Sequence, residues 1–299
     1  MNRARIEKAA DKYIRSGKLE SAIEELLKLV QLNPRDVTTI NRVGDLYSKL
    51  GRKQEAIRHF GQIAEHYTGE GFLLKAIAIY KKITKLEPMS LDAYGCLAEL
   101  YSRQGLTMEA RAQYQFIADR CLKNGRNEQG LEALREIERL YPHDVPIRLS
   151  IAELLGGMER QDEALEVYRA VGSDLDRKGM HSDSRKVYEA ALGLAPRDNG
   201  LVRHLVASLT GQGESAPAIE LLEGLLQDRP EDPELLSLLG DSHLDGDATG
   251  RATECYEKVR ELAPERIENL MNDARVCLKD GDLDGGFIHL DDAMRRSEG

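Results

Sequence analysis

"EHYTGEGFLLKAIAIYKK", residues 65–82, reads as a helix interrupted by two glycines and resumed at once. Apolar residues recur three and four positions apart on both sides of the interruption, which is the period of a helix face. Elsewhere the helix junctions run into a proline, at Pro34, Pro88, Pro142, Pro196, Pro230 and Pro264, and here there is none. Whatever residues 69–71 do in place of a stop decides the architecture.

Working outward, the punctuation is regular. A glycine followed five residues later by a small residue occurs at Gly17/Ala22, Gly51/Ala56, Gly105/Ala110, Gly213/Ala218 and Gly281/Gly286. Glycine supplies the left-handed conformation that ends one helix. Proline stops the next, because it cannot continue the hydrogen-bond ladder. Small residues (Gly44, Ala98 and Gly240 before a turn, Ala22, Ala56 and Ala110 after one) fall where two helix backbones must approach closely, with Tyr and Phe filling the wider gaps. No run of alternating β-branched and polar residues marks a strand, so the predicted class is all-α.

In residues 37–60, "VTTINRVGDLYSKLGRKQEAIRHF", Ile40, Val43-Gly44, Tyr47, Ala56 and Phe60 stand in a fixed pattern, and residues 91–114 repeat it with Tyr94, Leu97-Ala98, Tyr101, Ala110 and Tyr114. Leu236, Leu239-Gly240, Ala252, Tyr256 and Pro264 fit again, with His243 in the tyrosine place and no tryptophan anywhere in the chain. This pattern resembles the tetratricopeptide repeat (TPR), a 34-residue helix–turn–helix, and it covers essentially the whole chain. The resemblance implies a right-handed superhelical solenoid of helical hairpins.

Aligning "GFLLKAIAIY" with "GRKQEAIRHF" places Gly71 on Gly51, Ala76 on Ala56 and Tyr80 on Phe60. The helix preceding Gly71 then serves twice, as second helix of one repeat and first helix of the next. The same 20-residue step runs from Ala110 to Gly130 around Gly125, and from Ala164 to Ser184 around Gly179. Three 54-residue, three-helix units result at 37–90, 91–144 and 145–198; ordinary repeats lie at 3–36, 199–232, 233–266 and 267–299, giving 17 predicted helices in a single solenoid over 1–299. An added helix reverses the layer of every later helix, or else builds a local third layer. Continued alternation is favoured, because the shared helix carries contacts for both neighbours.

Composition bounds the function. The chain has 299 residues, 41% apolar and 31% charged, with a net charge of −10. That balance argues against affinity for nucleic acid phosphates, which needs clustered Lys and Arg. No apolar run reaches membrane-spanning length and no apolar signal core follows Met1, so the expected location is the cytoplasm, without direct membrane insertion. Cys96, Cys121, Cys255 and Cys277 form no close pair, and no HExxH, P-loop, dinucleotide or GxSxG pattern occurs. No cofactor and no enzymatic activity are expected.

The resemblance implies a noncatalytic adaptor that binds a protein or peptide on its concave surface. It also suggests a scaffold component of bacterial secretion, motility or polarity machinery. The Lys/Asn clamp for a terminal carboxylate is not visible. The equivalent places are acidic: Asp11, Asp45, Glu65, Glu99, Asp119, Glu153 and Asp241, with Asn41 nearby. Such a row attracts a basic segment; the plainer reading is a solvated face, and Arg42, Lys49 and Arg103 dilute the field. "DGDLDGGFIHLD", residues 280–291, has calcium-loop spacing in Asp280, Asp282, Asp284 and Asp291. The repeat alignment instead makes Gly281 a turn residue and the acids helix caps. A ligand-responsive regulator, with calcium or a small peptide altering the superhelix, is therefore the alternative function. Phe287, Leu290 and Met294, on the final helix, suggest self-association through that end.

Overall fold

The computed structural model describes residues 3–211 and 213–297, which form 17 α-helices and no strand. In chain order these are α1 (Arg3–Arg15), α2 (Leu19–Leu32), α3 (Val37–Lys49), α4 (Lys53–Gly69), α5 (Leu73–Leu86), α6 (Leu91–Arg103), α7 (Thr107–Lys123), α8 (Asn127–Leu140) and α9 (Val145–Gly157). They continue as α10 (Gln161–Arg177), α11 (His181–Leu194), α12 (Asn199–Thr210), α13 (Ser215–Asp228), α14 (Pro233–Asp245), α15 (Thr249–Leu262), α16 (Glu268–Lys279) and α17 (Leu283–Ser297). The chain divides into two compact units between Ile147 and Arg148, in the first turn of α9.

Residues 69–71 form the C-terminal closure of α4. Gly71 has φ +76°, the left-handed conformation. The Phe72 N–H donates to the Tyr67 carbonyl at 2.8 Å and the Gly71 N–H to the Thr68 carbonyl at 3.2 Å, so the last carbonyls of α4 find donors. The Tyr67 and Phe72 rings meet edge to face at 6.2 Å, the apolar contact that accompanies this closure. The chain then starts α5 at once. Where proline occurs, the helix stops two residues earlier, and the residue before proline is near-extended, as at Glu87 with φ −131° and ψ 81°.

Helix lengths reflect these two kinds of junction. α4, α7 and α10 have 17 residues each, while the others have 12 to 15. A 20-residue interval between turn residues leaves an extra turn of helix compared with a helix cut by proline. Each of these long helices packs along most of its length against a neighbour. α4 does so against both α3 and α5.

Packing follows from small residues. Ala56 and Ala76 are wholly buried at the starts of α4 and α5. Phe60 of α4, 1% exposed, lies against Gly44 of α3, where even a methyl group would come within 2.7 Å of its Cε1. On its other side the Lys82 ammonium of α5 sits 4.7 Å from the ring centroid. Phe60 therefore joins three consecutive helices. The same close approach recurs sixteen residues apart at Gly172/Tyr188 and Gly240/Tyr256.

Two turns break the glycine rule. Glu159 (φ 62°) and Asp247 (φ 58°) hold the left-handed place between α9 and α10 and between α14 and α15, five residues before the buried Ala164 and Ala252. A side chain in this conformation costs about 1–2 kcal/mol. Glu159→Gly is therefore expected to raise stability by about 1 kcal/mol and Gly71→Ala to lower it by about as much. Urea unfolding midpoints that move in the opposite order would overturn this account.

Candidate functional site

The acidic places that the sequence aligns do not gather on one side of the first unit. Carboxylates at equivalent repeat positions instead meet different neighbours. Asp11 on α1 pairs with Arg42 on α3. Asp45 on α3 accepts from Lys82 of α5 at 2.7 Å, and Asn41 accepts from the same ammonium at 2.9 Å. These residues thus lie on α1, α3 and α5, and their charge is met within the fold. Asp119 of α7, exposed, accepts from Gln115 at 2.9 Å.

Glu65 of α4 and Glu99 of α6 behave differently. Both are exposed, and among the described residues no ion pair to either is seen. Both act on Tyr80 of α5, whose phenol is pushed well above its ordinary range by burial, by a hydrogen bond with Cys96, and by the fields of Glu65 and Glu99. The phenol of Tyr114 of α7 is likewise raised, by burial and then by the field of Glu136; a hydrogen bond with Ser102 opposes this, Glu99 adds a smaller upward push and Arg139 a downward one.

The space over Tyr114 is a groove of about 1010 Å³, with α6 and α8 as walls and α7 as floor. Its charged lining is Asp92, Glu99, Glu132, Glu136, Arg126 and Arg139. Four carboxylates thus face two guanidiniums, and Arg139 is already bonded to Glu136 at 3.1 Å. Leu91, Tyr114 and Ile117 give the groove an apolar surface. Of the acidic positions aligned from the sequence, Glu99 lines it. Tyr80 and Tyr114 were legible solely as packing aromatics, while Glu132 stands two residues after the buried Gly130, a solvent-facing helix position.

In the second unit, Glu153 of α9 is exposed and adds to the burial that raises the Tyr168 phenol. Asp241 of α14 is engaged on two sides, by Arg275 of α16 at 2.6 Å and by the Tyr256 hydroxyl at 2.7 Å. Arg148 bonds Asp174 at 2.7 Å and holds that carboxyl below its ordinary range. One Ser, His and Asp set does come together. The Ser208 hydroxyl donates to Asp176 at 3.0 Å, Tyr188 donates to the other carboxylate oxygen at 3.0 Å, and Ser184 lies 2.9 Å from Ser208. His181 Nδ1 is 3.7 Å from Asp176. A nucleophile relay needs serine bonded to histidine; here serine bonds the carboxylate directly, both serines are buried, and the cluster ties α10, α11 and α12 together.

The acids with calcium-loop spacing act at helix ends. Asp280 closes α16, Asp282 accepts from the Gly285 N–H at 2.9 Å, Asp284 lies in the first turn of α17, and Asp291 pairs with Arg295 at 2.6 Å along that helix. Among the described residues, no group of three or more His, Cys, Asp and Glu is placed to hold a metal ion, and no helix is long and apolar enough to cross a membrane.

These are helical hairpins with small-on-aromatic packing and left-handed turn residues, all-α throughout the described residues. No protein-family model and no curated protein matches the chain. Among solved structures, it is similar to MamA (41 to end) from Desulfovibrio magneticus RS-1, with 20% identity, TM-score 0.34, and coverage of 63% of this chain and 95% of that one. It is also similar to yeast Tom70 (13% identity, TM-score 0.38, 98% of this chain and 84% of that one). A third is a tetratricopeptide repeat protein from Parabacteroides merdae ATCC 43184 (17%, TM-score 0.29, 91% and 98%). These are likenesses of helical architecture, and no partner is carried over from them.

The Lys82 bridge gives a quantitative expectation. An exposed pair contributes roughly 0.2–1 kcal/mol, so a double-mutant cycle with Asp45→Ala and Lys82→Ala should return coupling of about that size. Zero coupling would mean that Asp45 is free to meet a partner.

Proposed function

We propose that the protein is a noncatalytic, cytoplasmic interaction scaffold that holds a basic segment of a partner protein in the groove between α6 and α8. The observation that carries this reading is the groove itself: an apolar floor edged by four carboxylates against two guanidiniums, one of them already paired. Charged rims steer association and set specificity, and the apolar floor provides the surface whose burial drives binding. In this reading the groove belongs to the three-helix unit 91–144, whose shared helix α7 forms the floor. The units 37–90 and 145–198 are the corresponding modules.

Calorimetric titration with an Arg/Lys-rich peptide and its Glu-substituted counterpart tests the proposal. The basic peptide should bind, and more weakly as salt is raised. Replacing Glu99 and Glu136 together by Gln should cost about tenfold or more. Asp45→Asn should leave affinity within about twofold, since Asp45 is already paired with Lys82. Binding that ignores both charge reversal of the peptide and the Glu99/Glu136 change would sink the proposal.

Self-association through α17 belongs to the same proposal. Phe287, Ile288 and Met294 are 65%, 62% and 59% exposed. Phe287 and Met294 occupy places that other second helices turn toward the next repeat. Ile288 occupies the place of Glu24, Arg58, Glu220 and Glu254, which face solvent. A further repeat would therefore leave Ile288 bare, whereas a second copy packed across the outer face would cover it. Sedimentation at high concentration should show a dimer that Ile288→Lys dissociates; a monomer at every concentration would remove this part.

A further inference from the structure

The charges of the groove between α6 and α8 are sorted along its length. α7 runs antiparallel to both walls. Where α7 turns into α8, the Arg126 N–H donates to the Cys121 carbonyl at 2.9 Å, and just past the end of α8 the Tyr141 hydroxyl donates to Thr107, at the start of α7, at 3.1 Å. The Tyr94 ring, in the first turn of α6, lies 4.1 Å from that of Phe116, beyond the middle of α7. Both walls therefore begin at one end of the groove. Arg126 marks that end, and Glu99 and Glu132 line it farther along their helices. At 1.5 Å per residue, Glu132 stands about 9 Å from Arg126 along α8.

Glu136 and Arg139 are bonded to each other at 3.1 Å and satisfy one another. Arg126, Glu99 and Glu132 are exposed, and among the described residues none of the three has an ion pair. Asp92, in the first turn of α6, keeps the Arg126 end from being net positive, so a single carboxylate suits that end and an acidic run does not. Between the charged ends the α6 wall is open at Gly95, where an added Cβ would have no atom within 4 Å. Ile117 and Ala133 supply apolar surface there.

We infer that the groove is directional: it takes a partner segment that lays one side-chain carboxylate on Arg126 and a basic side chain against Glu99 and Glu132, with its main chain passing Gly95. The inference rests on the basic-segment reading of the groove and adds an acidic residue and a direction to it. A guanidinium and a carboxylate form a two-pronged, charge-assisted bond. A purely basic segment would instead set like charge against Arg126.

Fluorescence anisotropy tests it with end-blocked peptides of one basic sequence that differ at a single residue, Glu, Gln or Lys, four positions from an arginine. That interval puts both side chains on one side of the segment whether it is extended or helical. At about 0.15 M salt, where exposed charges more than about 8 Å apart are largely screened, the Glu peptide should bind about fivefold tighter than the Gln peptide and the Lys peptide about fivefold weaker. Arg126→Glu should invert this order. Gly95→Leu, which a helix accepts, should weaken all three at least about tenfold. Lys tightest, equal affinities, or an order that Arg126→Glu leaves unchanged would overturn the direction while leaving the basic-segment reading standing. Unchanged binding in Gly95→Leu, or no binding by any of the peptides at low salt, would overturn both.

Discussion

Among the described residues, each helix pair joined without a proline turns on one residue in the left-handed conformation. The last carbonyls of a helix need donors, and the chain must reverse within three residues so that its small residue, five positions on, meets the preceding helix. Gly71 does this for α4 and α5. The interval between such residues then sets helix length, and helix length sets which helices share neighbours. Where the interval is twenty residues, a 17-residue helix packs on both sides, as α4 does between α3 and α5.

Equivalence in the repeat does not carry over to electrostatics: an acidic side chain is answered by whatever the helix beside it supplies. Asp11 meets Arg42, and Asp45 meets Lys82. Glu65 and Glu99 both act on the half-buried Tyr80 phenol, and neither has an ion pair among the described residues. The proposed binding surface lies where the fold does not neutralise itself.

Much of this architecture is legible in the sequence. The turn glycines and the terminal prolines follow from local chemistry, and the buried Ala56, Ala76 and Phe60 lie where the pattern puts them. Glu159 and Asp247 were hidden, because the left-handed rule points to glycine and a charged residue there looks like ordinary surface. The acidic positions were legible one at a time, but not their grouping, since equivalence in a repeat says nothing about which neighbours a helix meets. The groove was invisible for a related reason. Tyr80 and Tyr114 satisfy the packing pattern, and only their half-burial beside carboxylates of two other helices gives them a second role.

The three-helix count has a consequence for how this chain can be altered. Along 37–144 the interval from one proline-closed junction to the next holds three helices, α3 to α5 and then α6 to α8. Deleting residues 53–69 would remove α4 together with the ring of Phe60 that touches both Gly44 and Lys82, so α3 and α5 would lose the residue that joins them even with their own turns intact.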